Sequence, residues 1–377
     1  MHLSSFKWAL LSTPILTLAG PIKYTRDTSS TDSTSLLVFQ FASVLEQLES
    51  QFYSQALSQF TDGDFLDAGF SSASIPTQLF QTISQDEQSH LTFLNKAIAA
   101  LGGSPLQCNF NFGSALSSVT DMVNTARVVE NVGVAAYLGG ASLLTDPVIT
   151  VEAGTIATVE ARHQTMLNLL SSTGSTIPVP FDVALSPSEV LAIAGGFISG
   201  CQLPIPANPA LTITNSETPT IGSQLTFSFD NMPSDTSSLF CQMLVGGSVT
   251  ALVLPFQQCI VPPGINGPVA LFITSNNDPL LNNVVDRATN TLVAGPAMAF
   301  IDSASPEAVV NLVRPSSSGG VAVSTNTTVS SETASSIIAN GTSSASGSDT
   351  SGPNLSTGST NGGNVTVIGW MNLPSSS

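Results

Sequence analysis

The sequence predicts an all-α four-helix bundle followed by a small all-β sandwich and a disordered Ser/Thr-rich tail. Three observations carry this reading. Between residues 33 and 174 four long segments place apolar residues at helical spacing. From residue 204 short β-rich runs alternate with Pro, Gly, Asn and Asp. Beyond Arg314 the chain turns to Ser, Thr, Gly and Asn with few large apolar residues, a composition that cannot bury enough surface to offset the entropy of ordering. The expected divisions are 1–19, a signal segment, then 33–203, 204–303 and the tail 315–377.

The first helix is expected from about Ser35 to Phe60, with Phe39, Ala42, Leu45, Glu46, Glu49, Phe52, Tyr53, Ala56 and Phe60 in one stripe, and a stop at Asp62-Gly63. Pro76 opens the second and Gly102-Gly103 closes it. A third spans about Ser114 to Leu143. The fourth starts at once, with Asp146 as cap and Pro147 at the first helical position, and stops near Gly174. A short fifth helix begins with the capping box Ser186-Pro-Ser-Glu189 and ends at Gly200. The linker from Gly102 to Gly113, stretched at about 3.3 Å per residue, reaches ~40 Å, enough to return along a helix of that length. Two hairpins joined by a lengthwise crossover, or a plain up-down bundle, both satisfy this reach.

After Pro204 the runs beginning at Leu211, Leu225, Leu239, Val249, Val269 and Ala297 read as strands of an immunoglobulin-like sandwich ending near Ser303. The four cysteines allow three pairings. Cys108 with Cys201 and Cys241 with Cys259 is preferred, because each pair then stays within one domain.

Lys7 followed by the apolar run Trp8 to Ala19 has the length of a signal-peptide core and is too short to span a bilayer; cleavage is expected after Ala19, the alternative being a retained N-terminal helix. An even number of cysteines fits an oxidising compartment. The Asn-x-Ser/Thr patterns fall at Asn326, Asn340, Asn354 and Asn364, all in the tail, and predict glycosylation there. Together these imply a secreted product, extracellular or associated with a cell wall, without a membrane span. The net charge of -17, from 8 Lys+Arg against 25 Asp+Glu, repels phosphate backbones and argues against nucleic acid as a partner. No Walker loop, no dinucleotide-binding glycine pattern after a strand, and no histidine left for a Ser-His-Asp arrangement is present.

The chemistry is carried by the histidines. Apart from His2 there are two, and each follows a glutamate by three residues: Glu87-Gln-Ser-His90 and Glu160-Ala-Arg-His163. That spacing puts carboxylate and imidazole on one helix face, where both can reach one metal ion. The first and third helices each offer a glutamate at mid-length, Glu46 and Glu130, and a tyrosine follows each by seven residues, Tyr53 and Tyr137. The bundle therefore reads as two similar halves. Burying four carboxylates without cations is costly, and the helices hold too few Lys and Arg to compensate. Two divalent ions remove the penalty; surface-facing glutamates are the bland alternative.

Glu46, Tyr53, Glu87-x-x-His90, Glu130 and Glu160-x-x-His163 resemble the di-metal carboxylate centre of the ferritin-like superfamily. Leu45-Glu-Gln-Leu-Glu-Ser-Gln-Phe-Tyr53 and Gln85-Asp-Glu-Gln-Ser-His90 resemble secreted fungal ferritin-like proteins, described as stress-response or late-sexual-development proteins and akin to plant desiccation-related proteins. The resemblance covers about residues 33 to 302 and is least specific over the sandwich. It implies that Glu87 and Glu160 bridge two metals, that Glu46 and Glu130 are terminal ligands, and that each ion takes one histidine. It makes Tyr53 and Tyr137 donors that orient carboxylates, core packing being the alternative. Glu49 faces almost the same way as Glu46 and is a seventh ligand or a substitute for it. Oxygen-rich ligation with one imidazole per ion suits iron or manganese.

Two functions are compatible with this. One is a redox protein acting on oxygen, peroxide or ferrous iron as ferroxidase, peroxidase or catalase; the other is a structural or protective glycoprotein whose centre staples the bundle or is vestigial. Storage in a closed cage fits less well, because the β-region and tail would hinder shell assembly.

Overall fold

The computed structural model describes residues 31–304 and 309–314 and, beyond them, the strand pair 328–329 and 365–366. The signal segment and the four glycosylation positions lie outside the described residues, as does most of the tail. The chain divides after Pro315; of its second unit β9 (Thr328–Val329) and β10 (Val365–Thr366) are described, an antiparallel pair.

Four long helices form the bundle: α1 (Thr31–Gln59), α3 (Ser74–Ala100), α4 (Val119–Ala141) and α5 (Pro147–Ser171). The break between the first two is not all loop. Asp62-Gly63 does not simply end α1 but opens a short helix α2 (Asp62–Asp67), because Thr61 and Asp64 form a reciprocal capping box. The helix start expected near Ser114 is a 3-10 turn, Gly113–Leu116; α4 itself begins after Ser118, whose hydroxyl accepts from the Asp121 amide. Asp146 and Pro147 open α5 as their chemistry requires.

Hydrogen bonds along α1 trace the crossover. Gln40 near its start donates to Ser104 O, Gln47 at mid-length to Leu106 O, and Gln59 at its end to Leu116 O. The connection thus runs the length of α1, so α4 starts at the end where α3 started and runs parallel to α3. The result is two antiparallel hairpins, α1 with α3 and α4 with α5, joined lengthwise. Cys108 and Cys201 are disulfide-bonded and flank the short ladder of β1 (Asn109–Phe110) with β2 (Ile198–Ser199), which pins the crossover to the segment leaving α6 (Pro187–Ala194).

α4 is buried around nearly its whole circumference, which its Ala, Gly and Val residues permit. At Gly139 a Cβ would stand 1.8 Å from Leu185 O, so only glycine lets the 183–186 segment close over the helix, where the Leu185 amide donates to Ala135 O.

Beyond the helices, a four-stranded antiparallel sheet has the order β6 (Leu252–Pro255), β5 (Phe240–Val245), β7 (Gly267–Thr274), β8 (Leu292–Ile301). β3 (Thr212–Ile213) pairs with β4 (Phe227–Ser228) in a separate ladder. The sheet is covered on both faces. Leu244, Ala270 and Phe272 join the core that includes Val190, Leu191 and Leu185, while Cys241, Met243, Val269, Leu271 and Ile273 form a second core with Leu225 and Phe227. Cys241–Cys259 is disulfide-bonded inside that second core, so both expected pairings occur.

Two arginines tie bundle and sheet. Arg127 of α4 donates to both oxygens of Asp302 just beyond β8, at 2.8 and 2.7 Å, and to Asn168 of α5, with its guanidinium 4.0 Å over the Phe300 ring. Arg287 donates to Glu189 of the α6 cap at 2.7 Å and to the carbonyls of Ala184, Leu281 and Asn282. After β8 the chain returns to the bundle: α7 (Val310–Val313) accepts from Ser71, and Arg314 donates to Ala68 O. Among the described residues no helix is long and apolar enough to cross a membrane.

Arg127→Met leaves the Asp302 carboxylate without its bidentate partner in a nearly dry setting. Denaturant unfolding should show a loss of about 3 kcal/mol, whereas the paired change of Arg127 and Asp302 to apolar residues should recover much of it.

Candidate metal centre

The middle of the bundle collects Glu46, Glu49 and Tyr53 from α1, Glu87 and His90 from α3, Glu130 and Tyr137 from α4, and Glu160 and His163 from α5. Each Glu-x-x-His pair sits on one inward helix face, as its i, i+3 spacing dictates. All five glutamates are buried, four of them with no exposure at all. His163 is buried too, and His90 is slightly open to solvent.

His90 Nδ1 lies 3.1 Å from Glu87 Oε2, 3.3 Å from Glu46 Oε2 and 3.3 Å from Glu160 Oε1. His163 Nδ1 lies 2.8 Å from Glu87 Oε1 and 3.2 Å from Glu130 Oε2. Ligand atoms of Glu46, Glu87, His90 and Glu160 fall within 4.8 Å of one another, and so do those of Glu87, Glu130, Glu160 and His163. Glu87 and Glu160 belong to both groups.

The tyrosines cross over. Tyr53 of α1 donates to Glu130 of α4, and Tyr137 of α4 donates to Glu46 of α1. The seven-residue interval therefore does not pair each tyrosine with the glutamate of its own helix; two turns along an antiparallel neighbour bring it to the other one. Both hydroxyls are thus more than core filler, and Tyr53 is held edge-on against Phe52 and beside Phe80.

Two residues of the site were not singled out by sequence. Asp86, partly exposed, has Oδ2 3.2 Å from His163 Nε2, on the side of the ring turned away from the cluster. A carboxylate there fixes the ring and leaves Nδ1 to face the glutamates. Its only sequence signal was its place beside Glu87. Gly133 of α4 is the other: a Cβ would lie 2.7 Å from Glu160 Oε2 and 3.1 Å from Glu49 Oε1, so the carboxylates occupy the space its missing side chain leaves.

The chemistry of this donor set fits cations. Glu46 Oε2, Glu87 Oε1 and both Glu160 oxygens lack a hydrogen-bond partner of acceptable geometry, although histidine nitrogens are close to three of them. Four buried acceptor oxygens in one cluster is an arrangement that native interiors avoid unless something positive sits among them. The cluster can therefore bind metal.

Residues 34–173 match the family model described as "Ferritin-like domain". The bundle is a ferritin-like domain. The match ends just after α5, so the sheet lies outside it. No curated protein matches the chain.

Without a cation, the ferritin-like domain must manage its charge with protons. Burial pushes Glu46 up to about 8 against the pull of His90, and burial with the neighbouring carboxylates pushes Glu49 and Glu160 well above the ordinary range. Glu130 is raised by burial and by Glu87. Burial would raise Glu87 as well, but the His163 and His90 imidazoles beside its two oxygens outweigh it and hold it down to about 2. For the histidines burial is likewise outweighed, by hydrogen bonds to the glutamates, and they rise to about 12 for His90 and about 11 for His163.

The raised groups keep protons in the folded state that the unfolded chain releases. Their stabilising contribution is complete below the unfolded values, 4.5 for glutamate and 6.5 for histidine, and is lost as pH rises through the folded ones. Glu87 acts oppositely, losing its contribution as pH falls from 4.5 towards about 2. The thermal midpoint of metal-free protein should therefore fall as pH rises from 4.5 to about 8, and calorimetry at several pH values tests it. A flat or rising midpoint over that window would refute this charge balance. Asp86→Asn should weaken metal binding at the His163 side by roughly tenfold or more, measured by competition with a chelator, with little change in the folded state's circular dichroism.

Proposed function

We propose that this chain is a secreted ferritin-like protein whose di-iron or di-manganese carboxylate centre acts on oxygen, peroxide or ferrous iron in stress or development. The observation that carries the reading is the pair of ligand groups sharing Glu87 and Glu160, each completed by one further glutamate and one histidine. In this reading Glu46 with His90 would hold one ion and Glu130 with His163 the other, Glu87 and Glu160 would serve both, and Glu49 stands by at the edge as a further carboxylate. Bound iron or manganese supplies redox chemistry that no side chain here possesses.

The chain's own residues do the rest. The carboxylates cancel the cations' charge, Tyr53 and Tyr137 hold one oxygen of each terminal glutamate so that the other is aimed inward, and Asp86 keeps the His163 ring in place. Burial of the five glutamates and His163 keeps most water away from the cluster. Two disulfides agree with an oxidising, extracellular setting.

Elemental analysis of protein secreted from its native host, beside a His90→Ala, His163→Ala double variant, tests the centre. Near two equivalents of iron or manganese, lost in the variant, is the expected result. Loaded protein should then consume peroxide, oxygen or ferrous iron faster than the free ions, and Glu87→Ala should abolish that turnover. Metal bound without turnover would favour the structural, protective glycoprotein instead. Fully folded wild-type protein that takes up no metal would sink both the centre and the activity.

A further inference from the structure

We infer that a cavity beside α4 is a binding pocket for an uncharged, largely apolar organic molecule whose polar end meets Glu49 at the edge of the carboxylate cluster. The cavity holds about 520 Å³ and lies between α1, α4, α6 and the 3-10 turn that precedes α4. That volume is typical of sites that take organic ligands. Along α4 its wall steps through Thr125, Val128 and Val132, residues three or four apart on one helix face, and reaches Gly133, over roughly 12 Å.

The inner end is Glu49 with Gly133. Because a Cβ at Gly133 would crowd both Glu160 Oε2 and Glu49 Oε1, bare helix backbone is what joins the cavity to the cluster. The two halves of the bundle differ here. Glu49 follows Glu46 by three residues as Gly133 follows Glu130; a symmetric pair would have filled the space from both helices or left it open on both. One large and one absent side chain set the Glu49 carboxylate against bare α4 backbone where the cavity meets the cluster. A glycine inside a helix is intrinsically unfavourable, so its presence at this contact needs such a reason.

The wall defines the ligand's chemistry. Leu48, Val128, Val132 and Ile193 offer apolar surface, and the charged residues on it are Glu49 and Asp121, both acidic. No Lys, Arg or His lines it. An anionic head would have to shed its water beside two acidic side chains on a wall with no cation to neutralise it, whereas a hydroxyl can hydrogen-bond to Glu49 whether that carboxyl is charged or protonated. That this hydroxyl also lies beside a metal rests on the function proposed above; the pocket's affinity for the molecule does not.

Isothermal titration calorimetry of the full chain with 1-octanol and with octanoate, metal-free and metal-loaded, tests the pocket. 1-Octanol should bind saturably, one per chain, in both forms, and octanoate should bind weaker by about tenfold or more. Thr125→Trp on α4 and Ala115→Trp on the 3-10 turn, half-buried lining positions outside the cluster, should each weaken octanol by about tenfold while metal content stays unchanged. Octanoate binding as well as octanol, unchanged affinity in a folded tryptophan variant, or no saturable octanol binding overturns the proposal. If one variant fails to fold by circular dichroism the other carries the test, and the alcohol-carboxylate contrast in wild type decides on its own. Wild type that takes up octanol but no metal would fail the metal reading alone.

Discussion

Concentrated negative charge in the middle of a helical bundle is the constraint on which the rest of this structure depends. Five glutamates are drawn from four helices into a space largely closed to water. Isolated carboxylates in such a setting are unfavourable by several kcal/mol each even after relaxation. Two histidines and two tyrosines meet part of that demand, and the oxygens they leave unpaired mark where cations fit. The surrounding architecture serves to hold this arrangement against its own repulsion: a lengthwise crossover strapped along α1, a disulfide at Cys108–Cys201, and aromatic packing around Tyr53.

The sheet has a related role. Its hydrophobic strands are buried on both faces, one against the helical core, and two buried arginine–carboxylate pairs join the elements. Arg127 lies only three residues before Glu130, yet its guanidinium turns away to Asp302 and does not neutralise the cluster. Positive charge that could have quenched the site is thereby spent on attaching the sheet. The site is left acidic, which suits cations and disfavours anionic ligands at the same place.

The internal repeat is imperfect, and its imperfections fall at the site. Asp86 precedes Glu87, whereas Val159 precedes Glu160, so one histidine has an outer carboxylate partner that the other half does not supply. Glu49 stands in one half where Gly133 stands in the other. These two departures make the two ligand groups chemically inequivalent and leave one side of the cluster approachable.

Much of this was readable along the chain. Helical spacing, Asp146-Pro147, the Ser186 capping box and the Glu-x-x-His pairs are local facts: hydrogen bonding and side-chain direction within four residues decide them. The division of the four cysteines between the helical and β regions favoured the pairing that occurs. The helix α2 was missed, although its Thr61–Asp64 box was local, because Asp62-Gly63 reads more simply as a stop. What the chain alone could not disclose are contacts between elements distant in sequence. The crossing of Tyr53 to Glu130 and Tyr137 to Glu46, the reach of Asp86 to His163, the cover over both faces of the sheet, and the gap at Gly133 all depend on how antiparallel helices are offset and rotated. Those offsets are set by the sum of many packing contacts, so periodicity can name the inward face of each helix but not which residue of another helix it will meet.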